Sequence, residues 1–173
     1  PYVFTSADFG FSDANDSPAN GFLRAVIATL PTAGSLTDNG VAVAAGQFVG
    51  TADIAAGKLV FTPAANANGA NYASFTFQVQ DGGGTANGGI DLDTTARTLT
   101  VNVTSVNDAP SGANNTVTTL EDTPYVFTSA DFGFSDANDS PANGLLAVKV
   151  TTLPTAGSLT DNGGAVAAGP ARE

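Results

Sequence analysis

The chain has 173 residues, no Cys, His, Met or Trp, and a formal net charge of −11 from 16 acids against five Lys and Arg. Without His and Cys there is no nucleophile–base pair of the usual kind, no disulfide framework and no nitrogen or sulfur set for zinc. The acidic balance repels nucleic acid, no stretch is apolar enough for membrane insertion, and only oxygen donors remain for metals, which suits hard cations such as calcium.

Taken in chain order, Thr51–Gly57 reads as one helical turn, capped by Thr51 or Asp53 and stopped by Gly57. Strands are expected near Lys58–Thr62, Tyr72–Gln80 and Arg97–Thr104. The second of these carries Ser74-Phe75-Thr76-Phe77-Gln78-Val79, a strict alternation of polar and apolar residues that marks a half-buried strand. Further strands are expected near Thr116–Leu120, Tyr125–Thr128, Leu145–Thr152 with Lys149 outward, and Gly157–Thr160, with a hairpin following Asp161-Asn162-Gly163. Asn20-Gly21, Asp38-Asn39-Gly40, Asn68-Gly69 and Asp81-Gly82-Gly83-Gly84 are turn signals, and no amphipathic helix of useful length appears.

The chain repeats itself. PYVFTSADFGFSDANDSPANG begins at Pro1 and again at Pro124, and of the 46 positions that align from there 39 are identical. A spacing of 123 residues suits a β-sandwich domain, not the 20–45-residue coil of a solenoid. The strands of 111–169 followed by those of 47–104 make seven, so the expected fold is all-β: a seven-stranded Greek-key sandwich in tandem repeats. Residues 1–104 are then one repeat lacking its first strand, 105–110 a linker, and 111–173 the N-terminal half of a second repeat. Pro170-Ala171-Arg172-Glu173 stand where that repeat would resume with Gln47-Phe48-Val49. Residues 47–104 cannot complete both halves in cis, so completion by another copy, head-to-tail or by strand exchange, or by further array is expected.

The segments LEDTPYVFT, FSDANDS, KLVFTPAANANG, FTFQVQDGGG and TLTVNVTSVNDAP resemble the cadherin-like, Ig-like repeats of giant bacterial surface proteins and adhesins. LPTAGSLTDNG and DIAAGKLVFTP are also similar to the chondroitin sulfate proteoglycan-type repeat. The resemblance implies calcium at the junction between repeats. It places ligands at Asp136 and Asn138 of Asp136-Ala137-Asn138, at Asp13 and Asn15 in the first copy, and at Asp81, Asn107, Asp108 and Glu121. Asp139 joins the junction set. The loop ends of a sandwich would also bring Asp13, Asn15, Asp16 and Asp81 together, where carboxylates repel unless a cation joins them.

Ser105 replaces the first linker acid and no D-R-E segment exists, which argues for one weakly held ion per junction. The alternative is that these Asp and Asn residues serve turns, where both tolerate special backbone geometry. Asp91-Leu92-Asp93 either extends the acid cluster or is a solvated loop.

No enzyme is expected: the acids sit in turns, not across a sugar-shaped cleft, and Gly82-Gly83-Gly84 has neither the helix nor the Lys of a phosphate cradle. The reading is a structural spacer of a long, repetitive extracellular adhesin or surface filament of a bacterium. Its expected partners are neighbouring repeats or copies of itself and a cell-surface or glycan ligand. Two alternatives are a carbohydrate- or protein-binding module of a secreted protein, and an accessory domain of a secreted hydrolase.

Overall fold

A computed structural model of the chain describes residues 1–169. Pro170–Glu173, where the repeat was expected to resume, lie outside the described residues. The chain divides into two compact units, 1–108 with 138–140, and 109–137 with 141–173.

The first unit is an antiparallel β-sandwich. Its strands are β1 (Tyr2–Val3), β2 (Phe22–Ile27), β3 (Ser35–Asp38), β4 (Val41–Ala42), β5 (Gln47–Gly50), β6 (Leu59–Thr62), β7 (Gly69–Asp81) and β8 (Arg97–Val103). One sheet has the order β1-β6-β3-β4 and the other β5-β2-β7-β8. Several sheet neighbours are far apart in sequence: β1 closes on β6 through Tyr2↔Phe61 and β2 on β7 through Ile27↔Phe77. All of the expected strands that fall in this unit form. β4 and β5 were not among the expected strands.

Alternation explains the core. Along β7, Ala73, Phe75 and Phe77 are buried while Ser74, Thr76 and Gln78 are not. Phe4, Phe61 and Phe75 are among the largest fully buried side chains, with Ile27, Val49, Ile54 and Leu59 around them. Phe4 meets Phe75 edge to face with centroids 5.7 Å apart, the arrangement that ring quadrupoles favour. The expected helical turn is α1 (Thr51–Ala55), which buries Ile54 and is followed by Gly57 at φ +69°. Its cap differs from expectation: Gly50 precedes it without a side-chain bond, because the Thr51 hydroxyl donates to the Leu23 carbonyl and Asp53 pairs with Lys58 at 2.7 Å.

The turns follow local chemistry. Asn39 and Gly40 both take positive φ (52° and 78°), the geometry of a tight two-residue hairpin, and join β3 to β4. Asn162 and Gly163 repeat it at 48° and 80° between β9 (Thr160–Asp161) and β10 (Gly164–Ala165).

In the second unit that hairpin is the one ladder of two named strands among the described residues. The expected strands at Thr116–Leu120, Tyr125–Thr128 and Leu145–Thr152 do not form, and only Thr160 of Gly157–Thr160 does. A strand is defined by the ladder it joins. Phe22–Ile27 has β5 and β7 on its two sides, whereas residues 145–150 have no strand counterpart to either. Residues 111–115 instead lie along 131–135, with Ser111 and Ser135 exchanging N–H···O bonds of 2.8 and 2.9 Å.

Candidate functional site

The loop between β1 and β2 and the loop between β7 and β8 meet at one end of the first sandwich. Gly82 N–H donates to the Gly21 carbonyl at 3.1 Å. Asn20 organises the approach: its backbone N–H donates to Asp13 Oδ2 at 2.6 Å and its Nδ2 to Asp16 Oδ2 at 2.9 Å. Gly83 N–H donates to Asp81 Oδ1 at 2.6 Å. A Cβ on Gly83 would stand 2.7 Å from Asn20 Nδ2, so any larger residue there would displace the Asn20 side chain. Asp13, Asp16 and Asp81 are therefore tied down by amide donors, and Asn15 is exposed beside Asp81 in an open groove that Phe9, Phe11, Asp91 and Arg97 also line.

Asp91 and Asp93 fold back onto the sheet. Gln80, which is buried, accepts from Arg24 Nε and donates through Nε2 to Asp91 Oδ2 at 2.9 Å. Gln78 Nε2 donates to the Asp93 carbonyl at 2.7 Å, and Arg97 Nε to Asp93 Oδ2 at 2.9 Å. The Arg97 guanidinium bond, against a smaller effect of burial, holds the Asp93 carboxyl below the usual aspartate range.

Asp108 N–H donates to Asp139 Oδ1 at 2.8 Å, and Asn107 Nδ2 to the Asp108 carbonyl at 3.2 Å. The Asn138 carbonyl accepts from Asn68 Nδ2 at 3.4 Å. Ser105, which stands where the resemblance asks for an acid, accepts the Ser140 N–H on its Oγ at 3.0 Å.

Asp136 in the second unit repeats Asp13: its Oδ2 accepts the Asn143 N–H at 2.6 Å. It is 7% exposed, and its Oδ1 is buried with no hydrogen-bond partner. Glu121 is exposed in a turn with Asp122, and its carbonyl accepts from the Thr123 hydroxyl. Among the described residues no three acidic side chains come together as a group that could hold a metal ion.

Sequence reasoning passed over two acids with a defined task. Asp8 takes the N–H and the hydroxyl of Thr5 on Oδ2 (2.7 and 2.9 Å) and the Tyr2 hydroxyl on Oδ1 at 2.8 Å. Asp131 repeats all three contacts with Thr128 and Tyr125. The signal was present as Thr-Ser-Ala-Asp, the threonine–acid spacing of a capping box. Burial would raise the Asp8 carboxyl, but the three donated bonds outweigh it and hold it low. In Asp131 the Thr128 N–H is the main cause of the same lowering.

Two antiparallel sheets packed over an aromatic core define an Ig-like β-sandwich module. Residues 5–104 match the bacterial Ig domain family, and the chain belongs to that family. Comparison with curated proteins and with solved structures gives no match.

Proposed function

We propose that this chain is a structural spacer from a repetitive protein on the bacterial surface, of the cadherin-like adhesin kind that its segments resemble. The near-identity of 1–46 and 124–169 carries the reading, since a spacer gains reach with every added copy while a single binding site needs none. Membership of the bacterial Ig domain family supports it, and so does a sandwich whose polar groups are spent on loop closure. No helix among the described residues is long and apolar enough to cross a membrane.

Calcium belongs to this proposal as a single, weakly held ion. Asp136 supplies the support: a buried carboxylate oxygen with no partner, in a loop whose other donors are oxygen as well. Bound there, the ion would supply positive charge that offsets the cost of burying that carboxylate. Asp13, Asp16 and Asp81 are the less suited set, their oxygens already engaged by Asn20 and Gly83.

Two measurements test this. Pulled from both ends, the chain is expected to show one mechanical unfolding event of roughly 35 nm, the extended length of about 100 residues. Glycan-array binding that survives chelation, with no such event, would replace the spacer by a carbohydrate-binding module. Calcium at millimolar concentration is expected to raise the melting temperature, and Asp136→Ala to remove the rise; an unchanged melting curve in chelator and calcium would end the calcium part.

A further inference from the structure

Six asparagines are followed directly by glycine: Asn20, Asn39, Asn68, Asn87, Asn143 and Asn162. Asparagine is thermolabile, and a following glycine exposes it further, because no Cβ shields the glycine nitrogen from the asparagine side-chain carbonyl carbon. The local chemistry is the same at all six positions. Differences in rate are therefore set by the fold, which must free the side chain and let the asparagine backbone leave the turn it occupies.

Five of the pairs are guarded. Asn20 is partly buried, and its Nδ2 donates to Asp16 Oδ2 at 2.9 Å while its N–H donates to Asp13 Oδ2 at 2.6 Å. Asn68 Nδ2 donates to the Asn66 and Asn138 carbonyls, both at 3.4 Å, and Gly69 opens β7 opposite Val103. The Asn143 N–H donates to Asp136 Oδ2 at 2.6 Å. Asn39 and Asn162 are exposed, but each sits in a hairpin closed by a ladder, through Asp38↔Val41 and Asp161↔Gly164. Turning either asparagine out of its left-handed conformation breaks the register that the turn sets.

Asn87 has no such guard. Every residue from 82 to 90 is exposed, and the Asn87 side chain has no hydrogen-bond partner among the described residues. Its backbone is left-handed (φ 56°, ψ 28°) in the middle of the short 3-10 turn Ala86–Gly88, with Gly84 and Gly88 at φ +74° and +83° around it. That conformation is disfavoured for a residue with a Cβ, and this turn belongs to no ladder, so little opposes leaving it.

We propose that Asn87 is a modification site, where the folded chain converts asparagine to aspartate and isoaspartate without an enzyme. Hydroxide takes the Gly88 amide proton, and the nitrogen bonds to Asn87 Cγ. The Cγ–Nδ2 bond breaks, ammonia leaves, and a five-membered imide remains. Water then opens the imide at either carbonyl, giving aspartate or an isoaspartate whose main chain runs through Cγ. Nothing is oxidised or reduced. Each event adds one negative charge to a loop that is pinned outside the turn, by Gly82 on the Gly21 carbonyl and by Asp91 on Gln80. The surface grows more acidic with age while the sandwich keeps its stability.

The experiment is to hold the full chain in mildly alkaline buffer, cut it with trypsin and follow, by fragment mass, each amide that becomes an acid. Cleavage after Lys58 and Arg97 places Asn87 in one fragment with Asn68, and fragmentation of that peptide tells them apart. Asn87 is expected to react first, at least about tenfold faster than Asn20 or Asn39, whose reaction waits for local opening. In concentrated urea the six pairs are expected to react at comparable rates. Asp16→Ala is expected to speed Asn20 several-fold and leave Asn87 unchanged, and Asn87→Gln to silence the fast reaction. The melting temperature is expected to survive the conversion. Reaction of Asn39 or Asn162 as fast as that of Asn87 in the folded chain would overturn the proposal. So would a folded-state rate at Asn87 far below its rate in urea, or an Asn20 rate that ignores Asp16→Ala.

Discussion

The ring of Phe9 meets that of Phe77 edge to face, centroids 5.0 Å apart and planes at 90°. Phe9 ends the short 3-10 turn Ser6–Phe9, and Phe77 sits on β7, so the contact joins the repeated half of the sandwich to the half that occurs once. Phe132 has the same local turn but stands beside Phe127, at 6.0 Å and 29°.

That pairing makes the two phenylalanines unequal. Phe9→Ala removes a buried ring and is expected to cost about 3–5 kcal/mol, the usual range for emptying an aromatic core position. Phe132→Ala, in a half with no opposing β7, is expected to cost a small fraction of that. Urea titration of the two variants checks it, and similar losses would contradict the difference in packing.

Gly34 and Gly157 occupy corresponding positions, at φ +72° and +76°. A Cβ on Gly34 would lie 2.6 Å from the Phe61 ring and 2.7 Å from the Thr62 carbonyl oxygen, whereas one on Gly157 meets nothing within 4 Å. Gly157→Ala therefore carries only the left-handed backbone penalty, about 1 kcal/mol. Gly34→Ala adds a clash with backbone that cannot swing away, and is expected to lose more than about 2 kcal/mol. Thermal melts of both variants give the comparison.

Asp8 sets an acid limit on stability. Its carboxyl is lowered in the folded chain, so the stability it contributes is present above the ordinary aspartate value and is lost as pH falls through the lowered one. Asp8→Asn is expected to cost about 1 kcal/mol or less at pH 7, since the site is largely open to solvent. The gap between variant and parent closes as pH falls through the lowered value of the Asp8 carboxyl. Denaturant titrations across pH 2–7 would expose a constant gap, which would locate the effect in packing.

Asp38 runs the other way. Burial, reinforced by the Asp53 charge and opposed by Lys58, raises its carboxyl, and its Oδ1 has no hydrogen-bond partner. An acid raised in the folded state weakens that state when ionised, and the cost disappears as pH falls through the raised value. Asp38→Asn is expected to stabilise by a few tenths of a kcal/mol at pH 7, after solvent screening, and by nothing in acid. Destabilisation at pH 7 would mean that the Lys58 attraction outweighs burial.

Residues whose neighbours in sequence supply all they need carry a local signal, although that of Thr-Ser-Ala-Asp was passed over. Thr-Ser-Ala-Asp builds the same turn at Ser6–Phe9 and Ser129–Phe132, with the same αL glycine after it, because its hydrogen bonds close within six residues. Asn-Gly makes the same hairpin twice for the same reason. The alternation of β7 named its inward face, since a pleat sends successive side chains to opposite sides. Tertiary structure decided what depends on a distant partner. Phe22–Ile27 is a strand and residues 145–150 are not, although both have strand-forming sequences, because only the first is flanked by ladders. Burial divided the acids in the same way: Asp13 is partly exposed, whereas Asp136, in an identical local sequence, is 7% exposed with one oxygen unpaired. Hydrogen bonds that close locally are encoded locally; ladders and desolvation are properties of what lies across the fold.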